Sequence, residues 1–419
     1  MKKKLAIDGG KKLIKSKFST YKTIGKEEIA AATKVLKSGV LSGFEASKSK
    51  KFFGGKFVRK FEDVIKKFFN VKYAVTVNSW TSGISIAVGS LDIEPGDEII
   101  VSPWTMTATA SAILHWNAIP VFVDIDPRNF CLDPRKIEKK ISSKTKAIIV
   151  VDIFGKSADM NSINKIAKKH GLKVISDSAQ AIGSVYKGKK YSGTLSDIGG
   201  FSLNYHKHIH TGEGGIAITN NSKLARKMML LRNHAETVLE DKDELTNMIG
   251  HNYRLGEIEA AIGIQQFKKL KNLLKTRIKA AQQLTRGLKN LKGIILPKTN
   301  YDFENVFYVY PIILDKNEIN IKKKTIFDAL VAEGVPALMS KYITLHTLPL
   351  YQKKIGYGKK GFPWSLNKKK YNYKKGICPV AEELNDKYFL GIEMCKYNFN
   401  KKEIKKIINA FKKVWTNLI

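Results

Sequence analysis

A chain of 419 residues with 43% apolar residues and 31 glycines is long enough for two packed domains and lacks the compositional bias of disordered or fibrous proteins. Its 74 Lys and Arg against 37 Asp and Glu give a net charge of +37, yet only eight of the cations are Arg, and the lysines are spread along helix faces, as a solvated surface is, rather than gathered as a nucleic-acid platform. No apolar run approaches the roughly 18 residues of a membrane span, and Met1-Lys2-Lys3-Lys4-Leu5-Ala6-Ile7 runs at once into Asp8-Gly9-Gly10 rather than into the apolar core of a signal peptide.

In chain order, residues 5–20 lack periodicity and are expected to form an irregular arm. Helical spacing appears over Lys26–Lys37 through Ile29, Ala30, Val35 and Leu36, and over Val58–Phe69 through Phe61, Val64, Ile65 and Phe68, with a loop across 41–55 between them. Tyr73–Val77 reads as a strand, and Asn78-Ser79-Trp80-Thr81-Ser82-Gly83 turns from it into a helix reaching about Leu91. Strands follow at Glu98–Ser102, Pro120–Asp124, Ala147–Asp152 and Lys173–Asp177, with helices at Thr105–Trp116, near Pro134–Ile141 and at Ser162–His170. Strand and helix alternate at the spacing of βαβ units, which gives an α/β fold with a mostly parallel central sheet and helices on both faces. Ligands on such sheets sit beyond the carboxyl ends of the strands, where Asp177 and the turns at 79–82 and 103–105 fall. From Asn252 a helix runs to Leu270 and, after a weak break, on to about Leu291. A strand near Val306–Leu314, a helix at Lys322–Glu333 and a final amphipathic helix at Asn400–Trp415, opened by an Asn400/Glu403 capping box, suggest a second, smaller α+β domain. The division is drawn at 1–265 and 266–419. Tyr351–Gly376, rich in Lys, Gly and Tyr, reads as an exposed loop.

Two stretches carry chemistry. The small-residue turn after Tyr73–Val77 opens a helix, so its unpaired N–H groups and the helix dipole make an anion site; an N-cap role for Ser79 or Thr81 explains one hydroxyl but not all three of Ser79, Thr81 and Ser82. The run Phe201-Ser202-Leu203-Asn204-Tyr205-His206-Lys207-His208-Ile209-His210-Thr211-Gly212-Glu213-Gly214-Gly215 sets a lysine between two strands against a glycine turn. With 66 lysines in the chain, any one of them is a solvated charge by default, and Lys207 gains meaning only from its company. A phosphate cradle after one strand, a carboxylate ending another and a lysine after a third are what a phosphorylated pyridine aldehyde requires. Cys131, Cys378 and Cys395 are odd in number and outside any CxxC pattern, which fits a reducing cytoplasm and neither zinc site nor disulfide framework.

At this point the chain resembles the DegT/DnrJ/StrS family of pyridoxal-phosphate-dependent sugar aminotransferases, of aspartate-aminotransferase-like fold. The resemblance runs from Leu5–Gly10 through Asn78-Ser79-x-Thr81-Ser82, Pro95-Gly96-Asp97-Glu98, Thr105-x-x-Ala108-Thr109, Pro120–Asp124, Ser176–Gln180, the lysine run, Asn252-Tyr253-Arg254 and Cys378–Glu382. It implies that Lys207 forms an imine with pyridoxal 5′-phosphate and moves the substrate proton, that Asp177 pairs the pyridine nitrogen and that Gln180 meets the ring hydroxyl. It further implies that Thr81, Ser82 and Ser202 hold the phosphate and that Asn252 reaches the phosphate of a neighbouring subunit, making a homodimer the catalytic unit. Met106 stands where the family usually places an aromatic to stack on the ring, and its thioether can pack on a π-face. Trp80 stands where a small residue is usual, so its side chain points away from the phosphate or into the substrate cleft. The implied reaction is amino transfer from glutamate or glutamine to a keto-sugar, nucleotide-linked or free, in the cytoplasm, with no nucleic-acid or membrane partner. Two alternatives stay open: a dehydratase, since some relatives carry histidine at the imine position and His206, His208 and His210 flank Lys207, and a regulatory protein on the same scaffold.

Overall fold

The structure, a computed structural model, describes residues 3–46, 49–188, 190–235, 248–299 and 303–419. Its centre is a seven-stranded sheet built from β1 (Tyr73–Val77), β2 (Glu98–Val101), β3 (Ile119–Phe122), β4 (Thr145–Val151), β5 (Lys173–Asp177), β6 (Ile198–Ser202) and β7 (Gly215–Thr219), in the spatial order β1-β7-β6-β5-β4-β2-β3. The pairs β3·β2, β2·β4, β4·β5 and β5·β6 are parallel, and β7 runs against both β1 and β6. Hence six strands end on one edge, and the seventh begins there at Gly215, opposite Val77 and Ser202. The strands are continuous apolar runs because helices cover both faces: Ile148, Ile149 and Val150 of β4 are fully buried.

The helices flanking the sheet are α2 (Lys56–Phe69), α3 (Trp80–Gly89), α4 (Thr107–His115), α5 (Met160–Lys169) and α6 (Ser222–Arg232), while α1 (Lys26–Ser38) packs on the long helix Glu257–Leu288. The helix expected near Pro134–Ile141 is instead two 3-10 turns, because Ile137 is its one deeply buried apolar anchor and Lys and Glu surround it. Helix α7 (Glu257–Leu288) is unbroken, without the weak point expected after Leu270. It passes from the large sheet to a four-stranded antiparallel one, ordered β8 (Ile294–Ile295), β9 (Val309–Leu314), β11 (Phe389–Glu393), β10 (Leu338–Met339). Helices α8 (Lys323–Ala332) and α9 (Lys401–Leu418) pack on that sheet, and Asn400 and Glu403 form the expected capping box, with bonds of 3.0 and 3.2 Å.

Two segments cross between these layers. Leu5, Ile14 and Phe18 of the N-terminal arm are buried among the apolar side chains of α7, α8 and α9. Residues 351–373, expected to be exposed, instead bury Tyr351, Trp364, Tyr371 and Tyr373 against the large sheet. The aromatics there find both apolar walls and polar ends: Tyr371 Oη donates to Glu98 at 2.7 Å and Tyr373 Oη to the Pro120 carbonyl at 2.8 Å. The lysines between them face water. Among the described residues no helix is long and apolar enough to cross a membrane, and no cluster of His, Cys, Asp and Glu could hold a metal ion.

Candidate active site

The sheet edge where the strands end opens into a cavity of about 220 Å³, lined by the ends of β4, β5 and β6, by the segments that follow β1, β2, β5 and β6, and by Tyr308 and Tyr342. Lys207 hangs from the loop between β6 and β7. That loop is closed at its base by backbone bonds Leu203 N–H to Gly214 O (2.9 Å) and Thr211 N–H to Leu203 O (3.0 Å). Asn204 Nδ2 donates to Glu213 Oε1 across it at 2.7 Å, and Gly212 turns the chain at φ +90°. The result is a short, internally bonded hairpin that holds the lysine amine in the cavity instead of in water. Burial lowers the Lys207 pKa from 10.5 to about 8, against the opposing pull of Asp177 and Cys395. Its Nζ lies 4.4 Å from the centre of the Tyr308 ring. Of the flanking histidines, His206 lines the cavity, whereas His208 is buried behind it, with Nε2 3.3 Å from the Gln180 carbonyl.

Asp177 closes β5 and faces the same cavity. Its Oδ1 accepts from Trp80 Nε1 at 2.8 Å and from Ala179 N–H at 3.2 Å, and its Oδ2 accepts from Thr109 Oγ1 at 2.7 Å. The anion corner is the first turn of α3. Ser79 is its N-cap, accepting from Ser82 N–H at 3.1 Å, and Thr81 is exposed toward the cavity. Ser82 Oγ is turned to Asn78 Oδ1 (2.7 Å) and Ser79 Oγ (2.9 Å). Ser202, at the end of β6, lines the cavity and accepts from Asn204 N–H at 3.2 Å. Gln180 lines it too: its Oε1 accepts from Phe154 N–H at 2.9 Å and its Nε2 donates to Tyr342 Oη at 3.0 Å, leaving one amide hydrogen over. Met106 forms part of the cavity mouth and is 59% exposed. Asn252 is exposed and lies outside the lining of this cavity, accepting from Arg254 Nε at 2.8 Å.

Sequence reasoning left Trp80 with two possible directions; its side chain lines the cavity, and its indole N–H reaches Asp177. It named Thr109 only within the motif Thr105-x-x-Ala108-Thr109, without a role, and passed over Tyr308 and Tyr342. In the structure the Thr105 and Thr109 hydroxyls are 2.9 Å apart. The two tyrosines come from the distant 306–342 region, and no local pattern connects them to the cavity.

The profile of the DegT/DnrJ/EryC1/StrS aminotransferase family matches residues 23–387. The chain belongs to this family. As a member it is an aminotransferase, and the family's aminotransferases depend on pyridoxal phosphate. Its relatives include the spore coat polysaccharide biosynthesis protein SpsC of Bacillus subtilis, 33% identical over 82% of this chain and 87% of that protein. The GDP-perosamine synthase of Caulobacter vibrioides is 35% identical over 71% of this chain and 79% of that enzyme. Among solved structures, Helicobacter pylori PseC, an aminotransferase of pseudaminic acid biosynthesis, matches with a TM-score of 0.77 at 29% identity, covering 96% of this chain and all of PseC. NtdA of Bacillus subtilis, solved with bound pyridoxamine phosphate, matches with a TM-score of 0.76 at 27% identity, over 94% and 83% of the two chains. The aspartate-aminotransferase-like architecture expected of the family is therefore that of this DegT-family chain.

Proposed function

We propose that this aminotransferase carries pyridoxal 5′-phosphate in the cavity and moves an amino group from glutamate or glutamine to the ketone of a nucleotide-linked sugar. The observation that carries the reading is the Lys207 amine and the Asp177 carboxylate lining one cavity at the opening of α3. The donor set fits the cofactor: a helix N-terminus and hydroxyls for a phosphate, a buried carboxylate for a pyridinium, and an amine of lowered pKa for an aldehyde. When bound, pyridoxal phosphate supplies a carbonyl that condenses with amines and a ring that withdraws electrons from the adjacent carbon.

The protein's own groups do the rest. Lys207 would hold the aldehyde, and its Nζ, when free, would be the group placed to take up and return a substrate proton. A pKa near 8 keeps a useful share of that amine unprotonated near neutrality. Asp177 keeps the ring nitrogen protonated. Thr81, Ser82 and Ser202, with the first N–H groups of α3, would hold the phosphate, Gln180 would offer its spare N–H to the ring hydroxyl, and Met106 would supply an apolar contact for the ring. Asn252 of the partner subunit completes the phosphate site in a homodimer. His208 turns away to a backbone carbonyl, and it is an amine that occupies position 207, so amino transfer is favoured over dehydration. Nucleotide-linked amino sugars appear in the names of several relatives, a GDP-linked and a UDP-linked one among them. We place the reaction in the cytoplasm, and the division of the chain at 265/266 within α7, with residues 5–18 and 345–378 reaching across it.

Borohydride reduction tests the reading: the reduced protein retains the cofactor covalently at Lys207, and a panel of nucleotide-linked ketones is aminated by the pyridoxamine form. Cofactor that washes out after reduction, or an unchanged amino-group exchange in Lys207→Ala, would end it.

A further inference from the structure

Trp80 occupies a slot cut for it. A Cβ on Gly83 would come 2.4 Å from its ring, and one on Gly200 of β6 would come 2.0 Å from it. Those two glycines let an indole lie flat beneath the cavity, where it is 4% exposed. A phenyl ring would fill most of the same slot, so packing alone gives no reason for the ring N–H. That N–H donates to Asp177 Oδ1 at 2.8 Å. Among the five indoles of the chain, those of Trp116, Trp364 and Trp415 donate to a neutral carbonyl or hydroxyl, and Trp104 Nε1 has no partner among the described residues. Trp80 alone is given a carboxylate, and a bond to a charged acceptor is the stronger kind.

The other oxygen is fixed from a second helix. Thr109 has one hydroxyl hydrogen, which goes to Asp177 Oδ2 at 2.7 Å, so its 2.9 Å contact with Thr105 has Thr105 as the donor. With Ala179 N–H at 3.2 Å, donors from α3, α4 and the turn after β5 triangulate the group. An ionised carboxylate has about four lone-pair sites, and three are taken among the described residues. The remaining capacity is on Oδ2, because Oδ1 is held twice.

We propose that Trp80 is a positioning residue for cofactor binding: its indole N–H pins Oδ1 of Asp177, so that Oδ2 keeps a lone pair aimed into the cavity for a pyridinium N–H. The inference rests on the reading of Asp177 as the partner of the cofactor's ring nitrogen. Losing the indole N–H frees the carboxylate to rotate, and the loss of aim outweighs any gain from a vacated lone pair, since one was already open.

The test is a double-mutant cycle on cofactor affinity, which isolates action through a shared partner. Wild type, Trp80→Phe, Asp177→Asn and the double variant are stripped of cofactor, and their affinity for pyridoxal 5′-phosphate is measured by equilibrium dialysis. The expected result is a loss of about tenfold for Trp80→Phe in the wild-type background, equal to about 1.4 kcal/mol, and no further loss when it is added to Asp177→Asn. An equal loss in both backgrounds overturns the inference and makes Trp80 a packing residue, while the reading of Asp177 stands. An affinity untouched by Asp177→Asn overturns the reading of the carboxylate and the inference with it. Should Trp80→Phe fail to fold, protein labelled with 15N-tryptophan carries the same question. One indole N–H resonance moves when pyridoxal 5′-phosphate is added to wild type and is already displaced in Asp177→Asn; indole resonances indifferent to both changes overturn the inference.

Discussion

Lys207 shows what a buried amine costs the fold around it. In water its amine would hold a proton up to a pH near 10.5; burial brings that down to about 8. Below the lower value the cofactor-free protein carries a buried cation in the folded state, at full penalty. Between the two values the unfolded chain binds the proton and the folded chain does not, so stability climbs with pH across that window. Lys207→Met therefore raises the stability of the cofactor-free protein at pH 7, by up to about 3 kcal/mol, and the gain shrinks by pH 10. Urea denaturation of the two proteins at both values checks the size and the sign together. If Lys207 is the imine lysine, the same shift sets the pH dependence of capture: covalent retention of pyridoxal 5′-phosphate is expected to accelerate as pH rises through about 8 and then level off, because the unprotonated amine would be the nucleophile. Stopped-flow absorbance over that range reads it, and a midpoint near 10.5 would mean that the lysine is solvated after all.

At the scale of elements, the site depends on α3 and β6 lying close enough for an indole to bridge to β5, and Gly200 is the residue that permits it. A methyl there would meet the Trp80 ring at 2.0 Å and the Ile216 carbonyl at 2.2 Å, neither of which is the end of a flexible chain. Gly200→Ala is expected to destabilise the protein by about 3 kcal/mol through overpacking, and to weaken cofactor binding as well, since the displaced ring takes Asp177 with it; calorimetry with and without pyridoxal 5′-phosphate measures both. None of that coupling was legible in the sequence, where Gly200 is an unremarked residue before Phe201-Ser202. What was legible were elements whose period and punctuation are local: β1 and β5 have the predicted bounds, Tyr73–Val77 and Lys173–Asp177, and α9 begins at its capping box. Residues 351–373 read as exposed because their lysines report the solvent side, while the buried side is made of aromatics: Tyr371 bonds to Glu98, Tyr373 to the Pro120 carbonyl and Trp364 to Tyr373. A composition rich in Lys, Gly and Tyr looks the same whether its aromatics face water or a sheet. The cavity's lysine, carboxylate and anion turn were legible from motif spacing, whereas Tyr308 and Tyr342 enter it through tertiary folding alone.

For the whole molecule, a net charge of +37 carried mostly by lysine is a long-range field rather than a contact surface. A nucleotide-linked substrate is an anion, and the Debye length falls from about 10 Å at 0.1 M salt to about 3 Å at 1 M. Its KM is therefore expected to rise with ionic strength while kcat holds, which steady-state assays across a salt series read directly. The larger question is whether one chain makes one site. Asn252 is exposed and outside the cavity of its own subunit, and its amide oxygen accepts from Arg254. The cavity in turn is open at Met106, a side chain 59% exposed. If Asn252 of the partner subunit completes the phosphate site, each site takes Lys207 from one chain and Asn252 from the other. Lys207→Ala abolishes amino transfer, and Asn252→Asp sets a carboxylate against the phosphate dianion and suppresses it. Neither variant dimer has an intact site. In a mixed dimer one site receives both lesions and the other receives none, so co-expression of the two inactive chains restores activity. Self-contained sites would leave the mixture as inactive as its components, because every site would then carry one lesion or the other whatever its partner.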